Sequence, residues 1–349
     1  MTALGKIALQ RAYRVCSPCQ RGEFPTDAIL GLDGFLSGRA RRLVCLVGIH
    51  DAFAQAERLL DELTGWTIDA ETIRRTCHAE AATLNHTLQN GLETAKLFVA
   101  AAGDWELQID AGKVNTETGW RDVKVAAFAR RERAAATNAL DYEQRDLPTP
   151  TIRSVRAAVE TAECFGQRCR AEADRLGLPA EASLSILGDG AEWIWNLSAR
   201  HFTSAEQVLD VFHAAEYLAD LARVGYGESP KSSDWLTAAR TALLADGWAG
   251  VCEHVARTAA EVPNRAALEA EFPRVANYLA GHQDRMPYAV RLRRGQAIGS
   301  GLIEGTIKQV LNRRLKQTGA RWRSDHVGPF VELRALADGP QWDEYWSAA

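Results

Sequence analysis

Two stretches of strict alternation constrain this chain most. Trp105, Leu107 and Ile109 alternate with Glu106 and Gln108 and end at Asp110. Val123, Val125, Ala127 and Ala129 alternate again after a polar turn that contains Gly119. A period of two is the mark of a strand, so residues 104–133 are expected to form a β-hairpin with a longer loop. Downstream, Leu184–Leu187 runs into Gly188-Asp189-Gly190 and a helix rich in Trp (Trp193, Trp195), and Gln207–Asp210 runs into a helix over Val211–Arg223. Strand, helix, strand, helix predicts a parallel pair with a crossover, and hence an α/β fold.

The rest reads largely as helix. In residues 36–85, Phe53, Ala56, Leu60 and Leu63 recur at helical spacing, Gly65-Trp66-Thr67-Ile68 interrupts, and Asp69 is placed to cap a second helix from Ala70 to about Leu84. Helix, Gly-containing turn, helix fits a helix-turn-helix, or an ordinary αα-hairpin, which is the commoner object. In the first of these, Arg74 and Arg75 stand where DNA contacts fall. Ile7–Tyr13 reads as a strand, residues 134–150 as polar connection, residues 151–177 as helix. Residues 214–285 read as all-helical, with breaks near Gly225–Pro230, Pro263 and Pro273.

Composition limits the function classes. Of 349 residues, 46% are hydrophobic and 25% charged, the balance of a globular chain rather than a disordered one. No apolar run reaches the roughly 18 residues of a membrane span, and the N-terminus lacks a signal-peptide pattern, so a cytoplasmic location is expected. The net charge of −4 excludes uniform basicity. Yet residues 291–323 hold nine cations (Arg291, Arg293, Arg294, Lys308, Arg313, Arg314, Lys316, Arg321, Arg323) and one acid, a local charge of +8. Such a patch is the footprint of a phosphate backbone. Seven cysteines in a chain of this kind argue against a disulfide framework. Cys16-Ser-Pro-Cys19 alone has zinc-ligand spacing: it is half a Zn²⁺ site, or a pair of reduced thiols in a turn.

Three acids stand in unusual places. Asp110 ends a strand, Asp189 follows another between two glycines, and Glu304 opens a helix whose apolar face is Ile303, Ile307, Val310, Leu311 and Leu315. Open α/β sheets bind ligands beyond the carboxyl ends of their strands. Hard cations such as Mg²⁺ take oxygen ligands, and a pair of them serves phosphoryl transfer. The plainer readings are a turn residue or helix cap for each Asp and an i, i+4 ion pair with Lys308 for Glu304. Against the last stands the setting of Glu304, the one acid among nine cations. Asp210 and His213, three residues apart at a strand-to-helix junction, are either a bonded pair shaping the site or a cap and a core histidine.

These residues resemble a known family. Met286–Gly305, with Ile298-Gly-Ser-Gly-Leu-Ile-Glu304, and Arg313-Arg-Leu-Lys316-Gln-Thr-Gly-Ala-Arg-Trp-Arg323 are similar to the DDE-class insertion-sequence transposases of the ISKra type, relatives of the Mutator-like group. Leu187–Asn196 resembles the family's segment for the second acid, Leu209–His213 its D-x-x-H signature, and Ile109-Asp110 with Gly119–Val125 its first acid. The likeness runs from about residue 5 to 335. It implies a zinc-ribbon-like hairpin (1–30), a helix-turn-helix region (31–100) and an RNase H-like core in two parts (101–213 and 286–349) around an all-helical insertion (214–285). It implies Asp110, Asp189 and Glu304 as catalytic ligands of two Mg²⁺ ions, replaceable by Mn²⁺, with Asp210 and His213 in support. The partners implied are double-stranded DNA and a second copy of the chain, which would act as a homodimer. Two departures stand out. The family pattern places another cysteine pair upstream of Met1, so a truncated copy is expected, and Asp110 is followed by Ala111-Gly112 where the pattern has Asp-Gly. A DNA-binding protein without catalysis, and an RNase H-like nuclease or resolvase, are the competing expectations.

Overall fold

The computed structural model describes residues 1–2, 5–87 and 93–348. The chain begins with two small ribbons, β1 (Arg14–Val15) with β2 (Gly22–Glu23) and, after helix α1 (Pro25–Ile29), β3 (Leu32–Asp33) with β4 (Leu36–Ser37). Ile7–Tyr13, expected as a strand, carries no regular structure. These residues lie exposed, and the pairing starts at Arg14. Three helices follow: α2 (Gly38–His50), α3 (Phe53–Thr64) and α4 (Ala70–Thr87). Gly65 ends α3 in the left-handed conformation, and the Asp69 carboxylate accepts the Thr72 amide hydrogen at 2.9 Å to start α4, as its sequence position implies. Ala56 and Leu60 face the core, but Leu63 is exposed.

After α5 (Glu93–Ala100), the alternating stretches form β5 (Asp104–Thr116) and β6 (Gly119–Arg131), joined by two residues rather than a longer loop. Asp110 therefore does not end its strand, which runs six residues further because β6 pairs with it throughout. Residues 151–177 are not all helix: β7 (Ile152–Ala158) pairs antiparallel with β6 before α6 (Ala162–Arg175) begins. The polar side chains of β7 are buried by partners from α6. Glu172 accepts from Ser154 at 2.6 Å and pairs with Arg156 at 2.7 Å, which hides the strand from a hydrophobic count.

Strands β8 (Leu184–Gly188) and β9 (Glu206–Leu209), separated by α7 (Glu192–His201), add in parallel. The result is a five-stranded mixed sheet in the order β7-β6-β5-β8-β9 within an α/β fold. Both faces are covered. Trp105, Leu107, Ile109 and Phe128 pack with Phe165 and Ile194, while Val114, Val123, Val125 and Ala127 pack with Ile307, Leu311 and Phe330.

Residues 211–281 are helical as expected, in α8 (Val211–Tyr226), α9 (Pro230–Thr258) and α10 (Arg265–Gly281). Pro273 does not break α10: Leu268, Val275 and Leu279 anchor the helix on both sides of it. The kink lies instead in α9 at Gly247, whose φ of 62° leaves the helical region. The chain closes with α11 (Tyr288–Arg293), α12 (Gly301–Ile307), a π-helical turn (Lys308–Asn312), α13 (Arg313–Leu315), α14 (Ser324–Leu336) and α15 (Gln341–Ala348). Among the described residues no helix is long and apolar enough to cross a membrane. All seven cysteines are free thiols.

Candidate active site

The register of the parallel strands brings the first two acids level. Gln108 pairs with Leu187, and Asp110 and Asp189 each lie two residues beyond that pair on adjacent strands. Leu209 pairs with Gly188, so Asp210 is level with Asp189 on the third parallel strand. Asp110 thus marks the carboxyl edge of the parallel part of the sheet, although its own strand continues with β6.

Helix α12 closes over this edge. Gly112 allows the approach: a Cβ there would stand 2.6 Å from the Leu311 side chain. Two buried polar side chains pin the start of α12. The Gln108 carboxamide oxygen accepts the Ile303 amide hydrogen at 3.0 Å, and Asp210 accepts from the Ser300 hydroxyl at 2.6 Å. Asp210 also caps α8 through the Phe212 amide, at 3.0 Å. It makes no hydrogen bond to His213 among the described residues. His213 faces Glu216 at 3.4 Å and is partly exposed: of the two readings the bonded pair is not formed, Asp210 is the cap, and His213 is not a core histidine.

The charges of Asp189 and Glu304 both reach Asp110. Burial pushes the Asp110 carboxyl up to about 6, the charges of Asp189 and Glu304 add to the rise, and the Ala111 amide and His213 oppose it. Each Asp is also held locally: Asp110 accepts from the Ala111 amide at 2.6 Å and Asp189 from the Ala191 amide at 3.0 Å, a bond that closes the turn before α7; Ala191, not Asp189, is the cap residue of that helix. Glu304 is exposed and, among the described residues, in no ion pair, so the bond to Lys308 is not formed. The three donors are oxygen only, the set a hard divalent cation takes. As they stand, no three His, Cys, Asp or Glu side chains among the described residues are close enough together to chelate an ion.

Residues that the sequence did not single out complete the site. Gln108 is one; nothing in the sequence marks it beyond an alternation that puts it on the face of Asp110. Tyr278, from α10, is another. Its hydroxyl donates to the Asp189 carbonyl at 2.6 Å, and its ring stacks on Tyr217 at 3.9 Å. The helical region thereby braces the Asp189 turn. Gly190 (φ +97) is required there, because a Cβ would meet the Tyr278 hydroxyl at 2.4 Å.

The basic segment divides in two. Arg293, Arg294, Lys308, Arg313 and Lys316 are exposed. Arg321 and Arg323 are exposed too, the first donating to the Glu117 carbonyl at 3.1 Å and the second paired with Asp325 at 3.2 Å. Arg291 and Arg314 are not available to DNA, contrary to expectation. Arg291 is 1% exposed, donates to the Ala297 carbonyl and Ser185 hydroxyl at 2.7 and 2.9 Å, and pairs with Glu206. Arg314 is 4% exposed, bonds the Gly48 carbonyl at 3.3 Å and lies over the rings of Phe53, Trp322 and Phe330. A charge count along the sequence cannot separate such internal cations from surface ones. On α4, Arg74 is held by both oxygens of Glu71, and Arg75 is exposed.

Cys16 and Cys19 sit exposed in the turn between β1 and β2. The Arg21 amide and the Cys16 thiol lower the Cys19 thiol below its usual range. They remain two ligands of a site that needs four. Set against known proteins, the chain matches no protein-family model and no curated protein.

Proposed function

We propose that the protein is a DDE-class DNA transposase that cleaves phosphodiesters at the ends of an insertion sequence and transfers the freed strand to target DNA. The observation that carries this is the strand register: Asp110 and Asp189 stand level on neighbouring strands under the helix of Glu304, and the charges of Asp189 and Glu304 both reach Asp110. An RNase H-like core is supported by the sheet: a three-strand meander carries the first acid, parallel strands carry the second, and a helical segment separates them from the third. The α3–Gly65–α4 pair, with Arg75 exposed, supports a helix-turn-helix. The β1–β2 turn with its two thiols supports a zinc-ribbon-like hairpin.

Asp110, Asp189 and Glu304 would hold Mg²⁺, or Mn²⁺ in its place. A carboxylate that burial and its neighbours push to about 6 gains more from a cation than an isolated one does. When bound, the ions supply positive charge that lowers the pKa of water and stabilises the charge developing on phosphorus. The chain itself supplies position: Gln108 and Ser300 fix the helix of Glu304, and Tyr278 fixes the turn of Asp189. Arg293, Arg294, Lys308, Arg313 and Lys316 offer exposed charge for the DNA backbone. Water would displace the 3′ oxygen from phosphorus at the element's end, and that hydroxyl would then displace a 3′ oxygen of target DNA. Two ends must be joined, so the working form would be a dimer.

The test is incubation of terminal inverted-repeat DNA with the protein and Mg²⁺. Cleaved and joined strands are expected, and loss of both in Asp189→Ala and Glu304→Ala. Activity that survives either substitution contradicts the reading. Hydrolysis without joining would favour a nuclease, and binding without cleavage a DNA-binding protein.

A further inference from the structure

Gln108 is fully buried in β5, two residues before Asp110 and on the same face of the strand. A buried carboxamide needs partners for both ends, and here they come from opposite directions. Its nitrogen donates to Glu106 Oε1 at 2.6 Å and lies 3.5 Å from the Gly299 carbonyl. Its oxygen accepts from the Ile303 amide at 3.0 Å, a hydrogen shared with the Ser300 carbonyl at 2.9 Å. Ile303 is in the first turn of α12, where amide hydrogens lack the usual partner four residues back. Glu304 is the next residue.

The orientation of the amide is dictated from behind. Glu106 is buried and held by Arg131 at two points, 3.1 and 3.0 Å. An ionised carboxylate only accepts, so it must face the NH₂ end of Gln108, and the oxygen is left to face α12. Arg131, Glu106, Gln108 and Ile303 therefore form one directed chain from the sheet to the helix.

We propose that Gln108 is a positioning residue: by bonding Ile303 it sets where the Glu304 carboxylate stands relative to Asp110. The inference rests on the active-site reading given above. A side chain that only filled the core would leave the coupling between the two acids unchanged when replaced by one of equal volume. A positioning residue would not, because α12 would shift along the strand and carry Glu304 with it.

The experiment uses the full chain without DNA and two variants. Gln108→Met keeps the volume and removes both bonds; Gln108→Asn keeps the amide and shortens its reach. Cooperative melting shows which variants are folded. Two quantities are then read: Mn²⁺ affinity by electron paramagnetic resonance, and the separation of the Glu304 and Asp110 carboxylates in crystals of the wild type and the variant. Expected for Gln108→Met is Mn²⁺ binding weakened by about tenfold, the usual scale for removing a group that orients a ligand. The two carboxylates are also expected to stand at a different separation from that of the wild type, because α12 has moved. Unchanged affinity and unchanged separation in a folded variant would overturn the proposal, and so would failure of both variants to fold. If the wild type binds no Mn²⁺ but the separation still changes in Gln108→Met, the metal reading fails while the positioning role stands.

Discussion

The Ser300 hydroxyl donates to the fully buried Asp210 carboxylate at 2.6 Å, tying the end of β9 to the turn that opens the helix of Glu304 across ninety residues of sequence. Asp210 also caps α8. Asp210→Ala removes a cap, worth about 1 kcal/mol, and a charge-assisted bond of about 1.5–3 kcal/mol. A loss of about 2–4 kcal/mol is expected by denaturant unfolding, together with loss of strand cleavage. Asp210→Asn keeps an acceptor for Phe212 and is expected to lose less than half as much stability. Equal losses in the two variants would show that the cap contributes nothing.

Asp110 carries a cost that its removal should reveal. Its carboxyl titrates near 6 in the folded chain against 3.8 unfolded, so the folded state binds the proton more tightly. Stability is then greatest below the unfolded value and falls as pH rises from 3.8 to about 6. The full shift corresponds to about 3 kcal/mol, and solvent screening on the exposed side of the group reduces this to about 1–2 kcal/mol. Asp110→Asn is predicted to be inactive and, at pH 7.5, more stable than the wild type. An inactive variant that melts lower would contradict the cost assigned to burying this charge.

His78 has the opposite sign. Its ring lies 4.1 Å from that of His326 and 5.7 Å from Phe330, where α4 meets α14. Burial, then the charges of His326, Arg74 and Arg314, lower it to about 4. The folded chain thus holds fewer protons than the unfolded chain between pH 4 and 6.5, and stability is lost as pH falls through that window. In the wild type this offsets the slope from Asp110. Asp110→Asn should therefore melt at a temperature that drops more steeply between pH 6.5 and 4, and adding His78→Phe should remove that extra slope. Scanning calorimetry across this range decides it.

The split of the basic segment predicts two kinds of effect. Lys308→Ala, Arg313→Ala and Lys316→Ala are expected to leave stability within about 0.5 kcal/mol and each to reduce the salt dependence of DNA binding by about 0.9 in log–log slope. Arg291→Ala is expected to leave that slope unchanged and to cost about 2–4 kcal/mol of stability, since the Ala297 carbonyl and the buried Ser185 hydroxyl lose their donor. Binding isotherms at several salt concentrations separate the two groups. A slope change in Arg291→Ala would contradict its placement inside the fold.

What the sequence reveals here follows physical lines. Alternation exposed β5 and β6, short apolar runs exposed β8 and β9, and the caps at Asp69 and Asp210 were readable because capping is local. Strand β7 was not, because Ser154 and Arg156 are made burial-compatible by Glu172, a partner from a different element. Asp110 was legible as a special acid but misplaced, since only its parallel neighbour stops there. Gln108 left no trace: its role depends on an amide 195 residues away. Arg291 and Arg314 read as surface charge because a sequence shows the cation but not the Glu206 carboxylate or the rings that enclose it.

The most direct test of the convergence of Asp110, Asp189 and Glu304 is an anomalous difference map from crystals of the protein soaked in Mn²⁺. Manganese peaks bounded by oxygens of all three side chains, and lost in Glu304→Gln, are predicted. Peaks elsewhere on the surface, or none in crystals of protein that still cleaves DNA, would contradict the account.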